Sequence, residues 1–138
     1  MKYLLPPIVA WVIAQVVKVI FRSLQERRLN LRALADTGGM PSSHSALVVA
    51  LATTVGRIDG PSSSTFAIAL IFSLVVMYDA QGVRRAAGRQ AEVLNRLIED
   101  IFGQRGIQEE RLRELIGHTP VQVLVGAALG VAAGLVPL

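Results

Sequence analysis

Residues 121–138, VQVLVGAALGVAAGLVPL, carry no charge and space Gly126, Gly130 and Gly134 four apart. At 3.6 residues per turn, that spacing lines the glycines along one helix face. The result is a smooth track on which a neighbouring helix can approach closely, as helices do inside a bilayer. The stretch therefore predicts a membrane helix packed through its glycines.

Three further apolar runs precede it, at 4–21, 45–55 and 65–78. None is a full 20 apolar residues, the length of about 30 Å of hydrocarbon. In the first, Pro6 and Pro7 suit a helix entry, where a missing N–H costs nothing. Lys18 lies inside that run and no small-residue cleavage site follows it, so it reads as a helix rather than a leader. The second run ends at Gly56 and needs its flanking turns to lengthen it. Residues 57–64 read as a turn rich in Gly, Pro and Ser. Between the third and last runs, 79–119 is polar, with helical periodicity in Val93, Leu94, Leu97, Ile98 and Ile101. A break at 103–106 separates this segment from a short helix ending near Gly117. The expected fold is all-α: one domain, 1–138, an integral membrane bundle of about four short transmembrane helices plus one or two cytoplasmic amphipathic helices. A soluble α-bundle with a buried core is the competing reading.

Composition and charge favour the membrane. Of 138 residues, 52% are apolar and 17% charged, and mean hydropathy is +0.51; an ordinary soluble domain is about one quarter charged. There is no cysteine, hence no disulfide, thiolate metal site or cysteine nucleophile. The net charge of +4 could suggest nucleic acid, but the basic residues concentrate in two segments between apolar runs. That argues against nucleic acid. If all four runs cross, 22–43 and 79–120 share one side and hold eleven of the 14 Lys and Arg residues, leaving Lys2 and Arg57 opposite. The positive-inside rule then puts both loops in the cytoplasm and both termini outside, with the plasma (inner) membrane as the expected location. Self-association is left open.

Chemistry-bearing residues collect at the cytoplasmic side. Gly38-Gly39-Met40-Pro41-Ser42-Ser43-His44-Ser45 stands directly before the second run, and Gly117-His118-Thr119-Pro120 before the last. Both histidines thus fall at helix N-termini, where free N–H groups and the helix dipole favour an anion. Thr119 is a natural N-cap. Lys18 closes the first run on the same side, and Asp79, Arg84 and Arg85 leave the third run there. Together they form a phosphoryl-binding constellation. Each member also has a plainer use: serine as a cap, arginine as a headgroup anchor, Lys18 snorkelling to the interface.

Met40-Pro41-Ser42-Ser43-His44-Ser45, followed by His118-Thr119-Pro120-Val121-Gln122-Val123 and a glycine-rich helix, resembles the type 2 phosphatidic acid phosphatase and vanadium haloperoxidase superfamily. Residues 38–46, Val76-Met77-Tyr78-Asp79-Ala80, Gly82-Val83-Arg84-Arg85, Gln90-Ala91, Leu94-Asn95 and Gly117 to Pro120 look like its small divergent branch. The resemblance covers nearly the whole chain. It implies a metal-independent phosphoric monoester or diphosphate hydrolase without a cofactor. His118 would attack phosphorus to give a phosphohistidine, and His44 would protonate the leaving oxygen. Lys18, Arg84, Arg85 and the Ser42–Ser43 backbone would neutralise the phosphoryl oxygens, with Gly39, Pro41 and Asp79 supporting. The implied partners are the lipid bilayer and a phosphorylated lipid or isoprenoid substrate.

The chain departs from the superfamily pattern at four places. Gln25 stands where the Lys-x6-Arg motif that starts at Lys18 would have its arginine, so Arg22, Arg27 or Arg28 would have to substitute. Ser43 replaces the glycine of Pro-Ser-Gly-His. Gln122 stands where an aspartate would orient and charge-stabilise the nucleophile. Leu112, not arginine, lies six residues before His118, and the arginine pair precedes it by more than 30. A non-catalytic membrane protein that binds a phosphorylated headgroup or a protein partner through the same pocket is the alternative expectation.

Overall fold

A computed structural model of the chain describes residues 1–27, 39–102 and 119–137, with side chains at 81–87 and 98–102 left aside. These residues form four α-helices: α1 (Leu5–Glu26), α2 (Ser43–Asp59), α3 (Ser64–Phe102) and α4 (Pro120–Leu135). The short helix expected near Gly117 lies outside the described residues.

Local chemistry sets most of the boundaries. Pro6 and Pro7 sit in the first turn of α1, and Arg27 closes that helix in a left-handed conformation, donating its N–H to the Ser23 carbonyl. At 22 residues α1 is about 33 Å long and matches the hydrocarbon thickness. Among the described residues it is the one helix long and apolar enough to cross a membrane; 64–80 of α3 and the whole of α4 are shorter apolar helices. Ser63 caps α3, its hydroxyl accepting from the Phe66 N–H at 3.1 Å.

Two boundaries differ from expectation. Gly56 does not end α2; the helix runs on to Asp59 and stops at Gly60, whose φ of +90° suits glycine. Gly56 is retained for packing, since a Cβ there would meet the Phe66 ring at 2.8 Å. The amphipathic segment around Val93–Leu97 is not a separate helix, because α3 is continuous for 39 residues, about 58 Å. Gly82 and Gly88 each weaken the helix by about 1 kcal/mol relative to alanine, but Ala, Arg and Gln around them are strong helix formers and no proline intervenes. An Arg96–Glu92 pair (2.6 Å) adds i,i+4 support on an exposed face.

Helix α2 is the hub, with α1, α3 and α4 all packed on it. Helix α1 also touches α4, and α1 and α3 do not meet among the described residues. Helices α2 and α4 run parallel in a fixed register. A Cβ on Gly126 would fall on the Ser42 carbonyl oxygen, on Gly130 it would meet the Ala46 oxygen at 2.6 Å, and on Gly134 the Ala50 oxygen at 2.8 Å. The glycine track thus faces a matching Ser-x3-Ala-x3-Ala track, backbone against backbone. Arg57 locks the far end by donating from Nε to the Gly134 carbonyl at 3.1 Å, a cation on a helix C-terminus. Helix α1 runs antiparallel to α2, with the Tyr3 hydroxyl donating to Asp59 at 2.6 Å.

The interior is made of small residues. Ala10, Ala14, Ala46, Ala50 and Ala133 form the core cluster. Among the described residues no Leu, Ile, Met or aromatic side chain is buried, while Trp11, Ile20, Phe72, Leu124 and many others point outward. A soluble domain buries its large apolar side chains. The reverse arrangement is that of helices solvated by lipid.

Candidate phosphoryl-binding site

The alanine face of α1 continues one turn beyond Ala10 and Ala14 into Lys18, which is 2% exposed. Lys18 therefore runs inward rather than snorkelling to the surface. Its stem passes beneath Gly39, where a Cβ would lie 3.2 Å from Lys18 Cγ, and Gly39 has φ +106°. Any other residue at position 39 would be strained and would press on that stem. The chain then enters α2 through a cis Met40–Pro41 bond and a buried Pro41.

Ser42 is the N-cap of α2. Its hydroxyl accepts from the Ser45 N–H (3.4 Å) and from the Ser45 hydroxyl (3.1 Å). Its N–H donates to the Gln122 carbonyl at 3.0 Å. The Ser42 amide is thus engaged by α4. The first-turn amides of Ser43 and His44 have no acceptor within the helix itself. Ser43 is 3% exposed, whereas His44 is exposed.

The start of α4 is built around Gln122. Thr119 and Gln122 form a reciprocal capping box, with the Thr119 N–H on Gln122 Oε1 (3.0 Å) and the Gln122 N–H on Thr119 Oγ1 (3.4 Å). One residue therefore closes the cap that follows His118 and receives the amide of Ser42. Four residues on, Gly126 seats the Ser42 carbonyl. The N-termini of α2 and α4 lie side by side, both presenting the positive end of the helix dipole.

The structure thus brings together Lys18, Gly39, Pro41, Ser42, Ser43, His44 and Gln122. His118 lies outside the described residues, as do the side chains of Arg84 and Arg85, whose backbone belongs to α3. Asp79 is exposed on α3. Counting back from Phe66 against Gly56 along antiparallel helices places it near the level of His44, at the same end of the bundle. Ser45 and Gly126 stood in the quoted motifs without a role at the site, and both belong to it. The signal for both was spacing: Ser45 three after the cap it bonds, Gly126 four after Gln122.

A lipid-facing helical bundle with two helix N-termini side by side at one end is the class of protein these features define. The profile of the Divergent PAP2 family matches residues 1–133, and the chain belongs to that family. It is 42% identical over 144 residues, covering 96% of this chain and 91% of the relative, to the protein described as "Uncharacterized membrane protein YuiD" of Bacillus subtilis (strain 168). No solved structure gives a significant match. The chain is a membrane protein in contact with the lipid bilayer.

Proposed function

We propose that the protein hydrolyses a lipid phosphate or isoprenoid diphosphate at the cytoplasmic face of a single four-helix membrane domain. The observation that carries this reading is the juxtaposition of a buried Lys18 with the N-terminus of α2, pinned to the first turn of α4 by the Ser42–Gln122 bond. A cation, first-turn amides and two helix dipoles converge there on one anion. In the first step a His118 ring nitrogen bonds to phosphorus as the P–O bond breaks, and His44 gives its proton to the departing oxygen. Water then attacks the phosphohistidine, losing its proton to His44 and restoring His118.

The test is purified full-length protein assayed against a panel of phospholipid and prenyl phosphates, with vanadate as a pentacoordinate phosphoryl mimic. Phosphate release is expected on at least one substrate, together with vanadate binding that weakens roughly tenfold or more in Lys18→Met. No turnover on the panel, with vanadate bound equally by wild type and His118→Ala, overturns the reading. The engagement of Gln122 in a cap, with no carboxylate in its place, favours a second reading, a binding protein for the same headgroup. Vanadate binding without turnover selects it.

Orientation is tested separately. Cysteine at Arg28 or Arg105 is expected to react in intact cells with permeant reagents alone, because eleven basic residues share that side. Labelling by an impermeant maleimide places the loops outside.

A further inference from the structure

The last turn of α2 holds all three of its neighbours. Arg57 donates to the Gly134 carbonyl at the end of α4 (3.1 Å). Two residues on, the Asp59 carboxylate takes a different helix on each oxygen. The Tyr3 hydroxyl, just before α1, donates to Oδ1 at 2.6 Å, and the Thr65 hydroxyl, in the first turn of α3, donates to Oδ2 at 2.9 Å. The Lys2 ammonium stands over the Tyr3 ring, 5.3 Å from its centre. These ties differ in consequence. Helix α3 follows α2 through the short turn 60–63, and its Phe66 ring lies against Gly56. Helix α4 is keyed into α2 by its glycines and by the Ser42–Gln122 bond. Helix α1 is joined to α2 through the longer stretch 27–42, and Ala10 and Ala14 pack with Ala46, Ala50 and Ala133 at the middle of the bundle. Dispersion attracts such methyl-lined faces, but with few protruding side chains to interdigitate they resist sliding weakly. A directional polar contact then sets the register, as a single polar residue does in a coiled coil.

We propose that Tyr3 and Asp59 are positioning residues for Lys18: their bond at one end of α1 sets the height at which Lys18, toward the other end, lies beneath Gly39. Leu5 and Lys18 are separated by about 20 Å of helix. Pro6 and Pro7 are confined to its first turn, so the rest is a stiff rod and an axial shift at Tyr3 is delivered at Lys18. The fit there is close. Gly39 leaves too little room above the Lys18 stem for a Cβ, and the side chain is 2% exposed. A slip by the rise of one residue, about 1.5 Å, is comparable to a bond length and takes the stem out of that contact. The consequence for phosphoryl binding rests on the phosphoryl-site reading, whereas the register itself does not.

Lys2 and Lys18 are the chain's two lysines, so acetylation reports on Lys18 with the exposed Lys2 as reference. Purified full-length protein in detergent is treated with acetic anhydride at fixed pH, and the ratio of Lys18 to Lys2 modification is read by mass spectrometry. Tyr3→Phe and Asp59→Ala should each raise that ratio roughly threefold or more, the effect of one net hydrogen bond at an exposed site. Thr65→Val, which releases α3 from the carboxylate, should leave it unchanged, because α1 and α3 do not meet among the described residues. The chain has no cysteine, so Tyr3→Cys combined with Asp59→Cys can be joined by a thiol-specific crosslinker about as long as the tyrosine side chain. That double variant should expose Lys18 before joining and regain its protection afterwards, which a general loss of stability would not do. Wild-type protection in both Tyr3→Phe and Asp59→Ala overturns the inference. Exposure by Thr65→Val equal to theirs, or exposure that the crosslink leaves in place, overturns it as well; Tyr3→Phe keeps the ring and carries the test even if Asp59→Ala misfolds. Vanadate binding on the same variants separates register from chemistry. Exposure of Lys18 with vanadate binding weakened in parallel supports both. Exposure with vanadate binding unchanged keeps the register and removes Lys18 from the phosphoryl site.

Discussion

Gly126→Ala is expected to release α4 from α2 and to abolish phosphoryl-ligand binding with it. The added methyl would fall on the Ser42 carbonyl oxygen, and backbone cannot swing aside as a flexible side chain can. Overpacking typically costs about 1–3 kcal/mol, and a fixed backbone obstacle belongs at or above the top of that range. Gly130→Leu meets the Ala46 oxygen, the Ala50 nitrogen and Val49 Cβ, so it should be at least as damaging. Ala128→Leu, on the exposed side of the same helix, is the control and should be tolerated. The measurement is the temperature at which each variant loses monodispersity in detergent. If the Gly130 variant matches wild type, that face of α4 is turned to lipid and the register given above is wrong.

The second large effect concerns the two histidines and the residue between their helices. His118→Ala should form no phosphoenzyme. His44→Ala should lose about 10²–10⁴-fold with poor leaving groups and recover in part with an activated aryl phosphate, whose departing oxygen needs no proton. Gln122 separates charge from geometry. Its carbonyl oxygen Oε1 closes the capping box on the Thr119 N–H, a reach that glutamate shares and aspartate lacks. Gln122→Glu should therefore keep the cap while placing a carboxylate near the imidazole, which favours the protonated or phosphorylated ring and raises turnover. Gln122→Asp, although it restores the superfamily's residue type, should lower turnover by opening the start of α4. Activation by aspartate would show that the side chain serves the nucleophile and not the cap. A pH–rate profile read alongside distinguishes the two, because a change of charge beside a histidine moves its apparent pKa and a loosened cap does not.

Much of this was readable from residue order, for identifiable reasons. The glycine track of α4 was legible because nothing but close approach asks for glycine every four residues in a helix. The proline entry to α1 and the Thr119 cap were legible because each depends on a few adjacent residues. What escaped depended on partners distant in sequence. Gly56 looked like a helix end because its reason for being glycine, the Phe66 ring, lies on another helix. The long α3 looked like two helices because the change from apolar to polar residues marks a change of surroundings, not of backbone. Snorkelling was the plainer use open to Lys18 until the fold brought Gly39 over its stem. Gln122 looked like a weakened catalytic aspartate because the superfamily motif names a role, whereas the capping box is a local hydrogen-bond pattern that competes for the same side chain.

The alanine-and-glycine interior also determines how this bundle comes apart. Drawing its helices away from one another within a bilayer replaces helix contacts by lipid contacts and wets almost no hydrocarbon. The heat-capacity increment of about 12–15 cal/mol/K per residue that curves the stability of soluble proteins comes from wetting apolar surface. For this interior that source is largely missing, and with it the drive toward unfolding on cooling. Its cohesion comes from dispersion between closely apposed backbones. How well the surrounding acyl chains solvate an opened helix surface should then govern its persistence more than temperature does.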